Sequence, residues 1–389
     1  MHSPPRALLI SRNFPPLIGG MERLNQNLLM QLGKKFDTFL VGPRGAESSA
    51  SGAKHVLTCP DKSIYQFLVS AILKAVYLAL KIRPELVLAG SGVTAIPAWL
   101  AARLCGARFG IYLHGLDLVA AHCLYQNIFL PIIRRADFWI ANSHATADMA
   151  AKCGLNPSLV YVLNPGVEIP QVMPSARNIS AWRGKIGAAQ RPLILSVGRL
   201  TRRKGLLEFI EKSFPTIVYQ IPDVLLIVIG SEPANALLQN SCGVDALKAQ
   251  AKEVGVEKNL CFVGSVTDEE LSVAFRAAAV NVFPVIDIPG DVEGFGMVAI
   301  EAAAYGLPTV AFAAGGVPDA VADGVSGALV SSQRYDQFAL SVVRFLRGEE
   351  TAVTEQICRE FAAKFSWQAF GEALHRVPPI KGIFNERGP

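Results

Sequence analysis

Two glutamates eight residues apart, beside a glycine-rich turn, are the clearest chemical feature of the sequence. Glu293 and Glu301 stand at the ends of the run EGFGMVAIE. The glycines predict a loop, and the strong helix formers after them predict a helix from about Met297. Such a turn presents unpaired backbone N–H groups, which favour an anion. We expect the two carboxylates to bind two hydroxyl-rich parts of one ligand, such as a ribose and a hexose. The structural alternative is one capping and one salt-bridged glutamate.

Two cations form the second feature. Arg199 follows a predicted strand directly, and Lys204 precedes Gly205 at the predicted start of the next helix. Arginine can bind a phosphate with two N–H groups, and lysine adds a point charge. An isolated basic loop is usually only solvated, but together with the glutamate motif it indicates a phosphate site. We interpret Arg202 and Arg203 as solvated.

Two shorter elements lie in the amino-terminal half. Gly19 and Gly20 separate the first predicted strand from the first predicted helix and permit close approach of a ligand to the backbone. His114, which precedes Gly115, ends another predicted strand, and we weigh a structural and a functional role for it equally. The sequence contains neither GxGxxG nor a Walker A motif, which argues against NAD-dependent and ATPase chemistry.

Strand-like and helix-like segments alternate along the whole chain. Uninterrupted Val/Ile/Leu runs are typical of strands that are buried on both faces, and the repeated alternation predicts two doubly wound parallel α/β domains. Ligands bind at the carboxyl ends of such strands, so we expect the site in a cleft between the domains. The boundary is predicted within Pro165–Pro192, with a linker over Pro170–Ser180. The predicted strands are Arg6–Phe14, Phe36–Val41, Glu85–Ala89, Arg108–His114, Phe138–Asn142, Tyr161–Leu163, Leu193–Gly198, Val224–Gly230, Leu260–Val263, Val280–Pro284 and Pro308–Phe312. The predicted helices between the strands of the first half include Gly20–Leu32, Asp61–Ile82, Thr94–Leu104 and His144–Lys152.

Composition and charge exclude several classes of protein. The 389 residues are 51% hydrophobic and 18% charged, which excludes disordered, coiled-coil and collagen-like chains. Residues 1–168 contain 16 Lys+Arg and 9 Asp+Glu, whereas the remainder contains 21 and 23, so the first half carries +7 and the second −2. No basic run with interleaved aromatics occurs, so nucleic acid is not an expected partner. An anionic membrane surface or a phosphorylated ligand fits better, with plain solvated surface as the alternative.

The hydrophobic excess is local. The segment 64–82 is a long apolar helix candidate, and the segment 124–133 leads to the pair Arg134-Arg135. Both are candidates for membrane contact or for core helices. The first is interrupted by polar residues and is expected to be too short to span a membrane. The amino terminus has no signal-peptide pattern, and the seven cysteines are scattered without metal-ligand spacing, so a cytoplasmic protein with free thiols is expected.

Taken together, these residues resemble the retaining glycosyltransferases of family 4. The resemblance implies an α/β fold of GT-B type, with two Rossmann-like domains facing across a cleft. Residues 1–168 would bind the acceptor and residues 169–367 the donor, with a closing segment of about 368–389 packing back on the first domain. Asp319 stands where a Glu is more usual. The matching elements are Gly19-Gly20, His114-Gly115, Asn164-Pro165-Gly166-Val167, Gly198-Arg199, Lys204-Gly205, Glu293 with Glu301, and Gly315-Gly316-Val317-Pro318.

The resemblance also implies a role for each matched residue. Arg199 and Lys204 would hold the donor diphosphate and neutralise the leaving group. Glu293 would grip the donor sugar, Glu301 the ribose hydroxyls, and His114 would contact the sugar. The donor-binding set would comprise Gly19, Gly20, Gly198, Phe295, Gly296, Met297, Val298 and Glu301.

The reaction implied is transfer of a sugar from a UDP- or GDP-linked donor to a glycan or polyprenyl-linked acceptor, in surface polysaccharide or glycolipid assembly. No D-x-D sequence occurs, so neither a metal nor a cofactor is expected. Retention would proceed by front-face attack, with Glu293 as a covalent nucleophile the alternative. Two other functions remain open: a sugar-nucleotide epimerase of the same fold, and a two-lobed binding protein without catalysis.

Overall fold

The computed structural model describes residues 3–119, 125–232 and 243–385, and these form two structural units. The first unit comprises Met1–Gly166 and Trp367–Pro389, and the second comprises Val167–Ser366. The division lies two residues before the one predicted from the sequence, and the chain returns to the first unit one residue earlier than predicted.

The first unit is built on a sheet in the order β3-β2-β1-β4-β5-β6-β7. Every neighbouring pair of strands is parallel. Its central strands are buried along nearly their whole length, as uninterrupted apolar runs predict. The strands are β1 (Arg6–Ile10), β2 (Asp37–Pro43), β3 (His55–Cys59), β4 (Leu86–Ala89), β5 (Arg108–Leu113), β6 (Phe138–Ala141) and β7 (Val160–Val162).

Helices cover this sheet, and two of them come from the end of the chain. The Arg108 guanidinium donates to the carbonyl oxygen of Pro379 at 2.5 Å, and His375 Nε2 donates to that of Gln31 at 2.9 Å. These contacts fix the closing segment to the first unit. The helices are α1 (Gly20–Leu32), α2 (Ile64–Ile82), α3 (Ala95–Cys105), α4 (Leu116–Val119), α5 (Leu130–Ile133) and α6 (His144–Lys152), with α16 (Trp367–Leu374) and α17 (Pro378–Asn385) from the closing segment.

The second unit is built on a parallel sheet in the order β10-β9-β8-β11-β12-β13. In both units the strand order reverses direction beside the first strand, as in doubly wound folds, so the predicted fold class is confirmed. The strands are β8 (Leu193–Val197), β9 (Leu225–Ile229), β10 (Leu260–Gly264), β11 (Val280–Phe283), β12 (Thr309–Phe312) and β13 (Gly327–Val330). The helices are α7 (Ala176–Lys185), α8 (Leu206–Lys212), α9 (Phe214–Gln220), α10 (Val244–Glu253), α11 (Asp268–Ala277), α12 (Met297–Ala304), α13 (Val317–Ala320), α14 (Tyr335–Leu346) and α15 (Glu355–Ala363).

Several elements differ from the sequence-based expectations. Strands β3 and β13 were not predicted. The predicted linker is wrong over its last residues, because α7 begins at Ala176, where the Ser175 hydroxyl caps the helix by accepting from the Asn178 N–H at 3.2 Å. Buried Trp182 anchors that helix to the core of the second unit. Of the seven cysteines, Cys123 and Cys242 lie outside the described residues, and the other five are free thiols.

Helix α2 also departs from expectation. Its 19 residues are long and apolar enough, by length and composition, to cross a membrane. The expectation that the polar residues within it make it too short is therefore wrong. One face is nonetheless buried in the first unit through Phe67, Ala71 and Ala75, as in a core helix of a folded protein. Of the second candidate segment, Leu124 lies outside the described residues.

Candidate functional site

The predicted donor-binding residues of the second unit gather at one edge of its sheet. Strands β8, β11 and β12 are consecutive neighbours and run parallel, so their carboxyl ends lie together. The loop after β8 carries Gly198, Arg199 and Lys204, and the loop after β11 carries Glu293. The β8 and β11 loops therefore lie side by side at this edge of the sheet.

Backbone contacts lock these loops against one another. The Ile286 N–H donates to the Arg203 carbonyl at 2.9 Å, and the Gly316 N–H donates to the Glu293 carbonyl at 2.9 Å. Gly205 has a φ of 67°, and a Cβ there would lie 1.8 Å from the Pro284 carbonyl oxygen. Only glycine fits such an approach. The side chains of the loops therefore project from a fixed backbone.

A largely buried ion-pair cluster joins the two loops, with each of its side chains between 10% and 18% exposed. Lys204 Nζ lies 2.7 Å from Glu293 Oε2, and Arg203 Nη1 lies 3.2 Å from the same oxygen. Arg203 Nε also lies 3.2 Å from Asp291 Oδ1. The interpretation of Arg203 as solvated is wrong, because its side chain is 13% exposed, whereas that of Arg202 is 64% exposed. Arg203 is a bridge between two carboxylates.

Positive charges outnumber negative charges around this cluster. Burial by itself would raise the pKa of Glu293, but Lys204, Arg203 and Arg199 outweigh it and lower the pKa to about 2. Burial lowers the pKa of Lys204; Glu293 opposes this, and the two arginines add to the lowering. The two directions agree physically, since three cations face Glu293 while Lys204 faces one carboxylate and two like charges. The cations outnumber Glu293 and Asp291, so the cluster is suited to receive an anion.

Arg199 and Lys204 line a small pocket at the end of β8. Lys204 Nζ lies 4.5 Å from the centre of the Phe283 ring, which also lines this pocket, and Arg199 is exposed. Thr201 also lines it, and its buried hydroxyl has no hydrogen-bond partner among the described residues. A buried orphan hydroxyl normally finds a partner, so a polar ligand atom fits here. Sequence reasoning missed Thr201, as it missed Arg203 and Asp291.

Helix α12 contributes its amino terminus to the same edge. Gly296 precedes the helix with a φ of 99°, and a Cβ there would lie 2.7 Å from the Phe283 ring. Phe295 is buried and packs near Phe365, with ring centres 6.0 Å apart. The first N–H groups of a helix have no intrahelical acceptor, so those of Met297 and Val298 can serve a ligand. Half-buried Glu301 lies on the second turn of the same helix.

The other predicted residues belong to the first unit. Gly19 precedes α1, which begins at Gly20. His114 follows β5 at the carboxyl edge of the first sheet and is 7% exposed. Its Nε2 donates to the Gly90 carbonyl at 2.8 Å, and its backbone N–H donates to Asp117 Oδ2 at 2.8 Å. These bonds hold the imidazole in place at the strand end.

The described residues offer little to a metal ion. Within residues 3–119, 125–232 and 243–385, no group of three or more His, Cys, Asp or Glu side chains is arranged to hold a metal ion. In the ion-pair cluster, the carboxylates of Asp291 and Glu293 are both engaged by cations.

Two family models match this chain, one over most of each unit. The model of the family "Glycosyltransferase Family 4" matches residues 18–170, and that of "Glycosyl transferases group 1" matches residues 178–364. D-inositol 3-phosphate glycosyltransferases of Mycobacterium tuberculosis and Mycobacterium bovis are 31% identical over 252 residues, which is 62% of this chain. That match covers 48% of the relatives, so the chain spans about half the length of the curated relatives it matches. Because both models describe glycosyltransferases, an epimerase and a non-catalytic binding protein are not favoured.

Solved structures show the same architecture. Anabaena HepE in complex with UDP-glucose has a TM-score of 0.76 at 19% identity, over 96% of this chain and 98% of HepE. The lipopolysaccharide outer core galactosyltransferase WaaB has a TM-score of 0.69 at 18% identity, over 98% of this chain and 99% of WaaB. At these identities the likeness concerns the fold.

Proposed function

Because the chain belongs to the glycosyltransferases of family 4, we propose that it moves a sugar from a nucleoside-diphosphate donor to a hydroxyl of an acceptor. The observation that carries this proposal is the cation excess at the junction of the β8 and β11 loops. A departing nucleoside diphosphate develops negative charge on its phosphates, and positioned cations in a partly dry site stabilise that charge.

Lys204 and Arg199 are proposed to receive the donor diphosphate. Lys204 has three N–H donors and uses one on Glu293, so it can bind a phosphate oxygen without leaving its carboxylate partner. Arg199 lines the pocket and is exposed, so its planar guanidinium can bind two oxygens of one phosphate. The backbone around Gly198 has no side chain that would block the approach. The amino terminus of α12 adds a favourable dipole.

Glu293 is proposed to position the donor sugar. Its low pKa keeps it ionised at neutral pH, so it accepts hydrogen bonds from sugar hydroxyls. The same low pKa makes it a weak nucleophile, and its Oε2 is held by Lys204 and Arg203. Both points favour front-face retention, in which the donor phosphate accepts the proton of the acceptor hydroxyl. Glu301 is proposed to bind the ribose, and His114 to contact the sugar. The transfer is proposed to need no metal.

The acceptor is proposed to be a glycan or a polyprenyl-linked glycan used in cell-surface polysaccharide or glycolipid synthesis. The relatives support the two sides of the reaction: the HepE structure holds UDP-glucose, and WaaB acts on the lipopolysaccharide outer core. The protein is proposed to work at the cytoplasmic face of a membrane, where lipid-linked acceptors and nucleotide sugars meet.

The experiment combines ligand binding with transfer. UDP, GDP and their common sugars are screened by thermal shift, since a ligand that binds the folded chain raises its melting temperature. The responding sugar nucleotide is then assayed for nucleoside-diphosphate release with and without EDTA, and the anomeric configuration of the product is read by NMR. Lys204→Ala should abolish the thermal shift, while Arg202→Ala, its exposed neighbour, should preserve it. No response to any nucleoside diphosphate, or equal responses of the two variants, would overturn the proposal.

A further inference from the structure

Helix α2 carries an exposed apolar stripe that the candidate site does not use. Its side chains Tyr65, Val69, Leu73, Tyr77 and Leu80 are each between 54% and 68% exposed. At about 100° per residue they fall within an arc of about 120° on one side of the helix, over about 22 Å of its length. Contiguous exposed apolar surface of this kind marks an interaction site.

The opposite side of α2 is fixed in the first unit. Its buried residues include Phe67, Ala71, Ala75 and Leu78, which lie in the main core cluster of that unit. Crossing a bilayer would pull this face out of the core, although the helix has sufficient length and apolarity. The Lys74 ammonium also donates to the Thr58 carbonyl of the sheet edge. Only the exposed face of α2 is therefore accessible to a partner.

Basic residues stand at both ends of the stripe. Lys62 precedes the helix, and Lys81 and Arg83 follow its last exposed turn, all three exposed. Between positions 60 and 84 the sole acidic residue is Asp61. Lys81 Nζ also lies 5.6 Å from the centre of the Tyr77 ring, so its charge sits beside the apolar row. This surface pairs a ridge of aliphatic and tyrosine side chains with flanking positive charge.

We propose that this stripe docks the first unit on an anionic lipid bilayer. An interfacial helix lies in the membrane plane with its apolar face in the acyl boundary and its cations at the headgroups, which is the distribution seen here. A second copy of the chain fits less well, because pairing two such ridges side by side would bring the cationic ends together and fill no groove. Docking would bring the first unit to the membrane that carries the lipid-linked acceptor, and in this respect the inference rests on the proposed function. Its test, however, needs no sugar transfer.

Vesicle flotation of the full chain tests the inference. Phosphatidylcholine vesicles with and without phosphatidylglycerol are compared at low and high salt. Lys62→Gln/Lys81→Gln should weaken association with the anionic vesicles by about thirtyfold, since each cation near such a surface contributes about fivefold. Leu73→Gln/Leu80→Gln should weaken it at least as much. The matched control is Tyr219→Gln/Leu340→Gln, which removes two exposed apolar side chains from the second unit.

The outcomes separate the possible occupants of the stripe. Loss of flotation in the α2 variants, with melting temperatures and nucleotide response unchanged and the control floating normally, supports the inference. No flotation of the unaltered chain at low salt overturns it, as does equal loss in the control. A dimer in sedimentation without lipid, abolished by Leu73→Gln/Leu80→Gln, would instead assign the stripe to a second copy. Sugar transfer can fail in any of these cases without changing what flotation shows about the bilayer.

Discussion

Replacing Glu293 by Gln should lower the stability of the second unit, and the size of the loss follows from the low pKa of Glu293 in its ion-pair cluster. Gln has the shape of the protonated carboxyl, so the variant reports the difference between the charged and neutral forms. The pKa of Glu293 falls from 4.5 to about 2 in the folded chain. Each unit of pKa shift corresponds to about 1.4 kcal/mol, so the ionised carboxylate contributes about 3 kcal/mol of stability at neutral pH.

The pH dependence gives this prediction its sign. A carboxyl whose pKa is lower in the folded state stabilises fully above its unfolded pKa and loses that contribution as the pH falls through the folded value. The stability gap between the unaltered chain and Glu293→Gln should therefore shrink from about 3 kcal/mol at pH 7 to less than half of that near pH 3. For a unit of this size the neutral-pH gap corresponds to about 6–12 °C in melting temperature.

Scanning calorimetry at neutral pH and near pH 3 provides the measurement. The control is Glu270→Gln, which removes an exposed carboxylate paired with Lys185 at 2.5 Å. Exposed pairs contribute little to stability, so this variant should melt almost as the unaltered chain does. A gap for Glu293→Gln no larger than that of the control, or one that does not shrink on acidification, would refute the assignment of the low pKa to the three neighbouring cations.

Other consequences of the same geometry are open to measurement. Glu293→Gln should bind the nucleoside diphosphate identified by the thermal-shift screen at least as tightly as the unaltered chain does in calorimetry, because the cluster gains net positive charge. Sugar transfer should fall by more than tenfold, and weaker binding of the nucleoside diphosphate would contradict this. Asp291→Asn should lower kcat about tenfold with little change in affinity for the same nucleoside diphosphate, since one of the two carboxylates that hold Arg203 is lost. Asp291→Glu should restore part of the activity, and a change in affinity alone would point to a different role. Gly205→Ala should lower the free energy of unfolding in urea by well over 2 kcal/mol, because the new Cβ would meet the Pro284 carbonyl. The control Gly264→Ala has a φ of 80° and no atom within 4 Å of the new Cβ, so it should cost about 1 kcal/mol. Equal costs would show that the loops can move apart to admit the Cβ.

Regular elements with clear end signals were predictable from the sequence. The bounds of α1 and α6 agree with the predicted helices Gly20–Leu32 and His144–Lys152, since glycine or serine precedes each one. Strand β3 escaped because it is a half-buried edge strand without a long apolar run. Strand β13 is four residues long and begins with a glycine. The start of α7 had a local signal, Ser175 as a helix cap, which the two preceding prolines obscured.

Within the site, residue types and strand ends were predictable, but side-chain partners were not. Arg202 and Arg203 are neighbours of the same type in one short turn, and only the meeting of the β8 and β11 loops determines which one turns inward. The sequence contains no signal for that meeting, because it depends on the order of non-consecutive strands. Asp291 was missed for the same reason: its importance comes from the arginine it faces across 88 positions of chain.

The cluster explains why a phosphate-bearing donor, and not a neutral sugar, should be the ligand recognised first. In the free chain, Lys204 is buried beside two arginines and compensated by one carboxylate, so its charge is held at a cost. A diphosphate placed between Arg199 and Lys204 supplies the missing negative charge and removes that repulsion. Under the proposed function, Glu293 would then keep its ion pair with Arg203 and would use its remaining acceptor capacity for the sugar. Recognition of the leaving group and positioning of the sugar would thus be coupled through a single carboxylate.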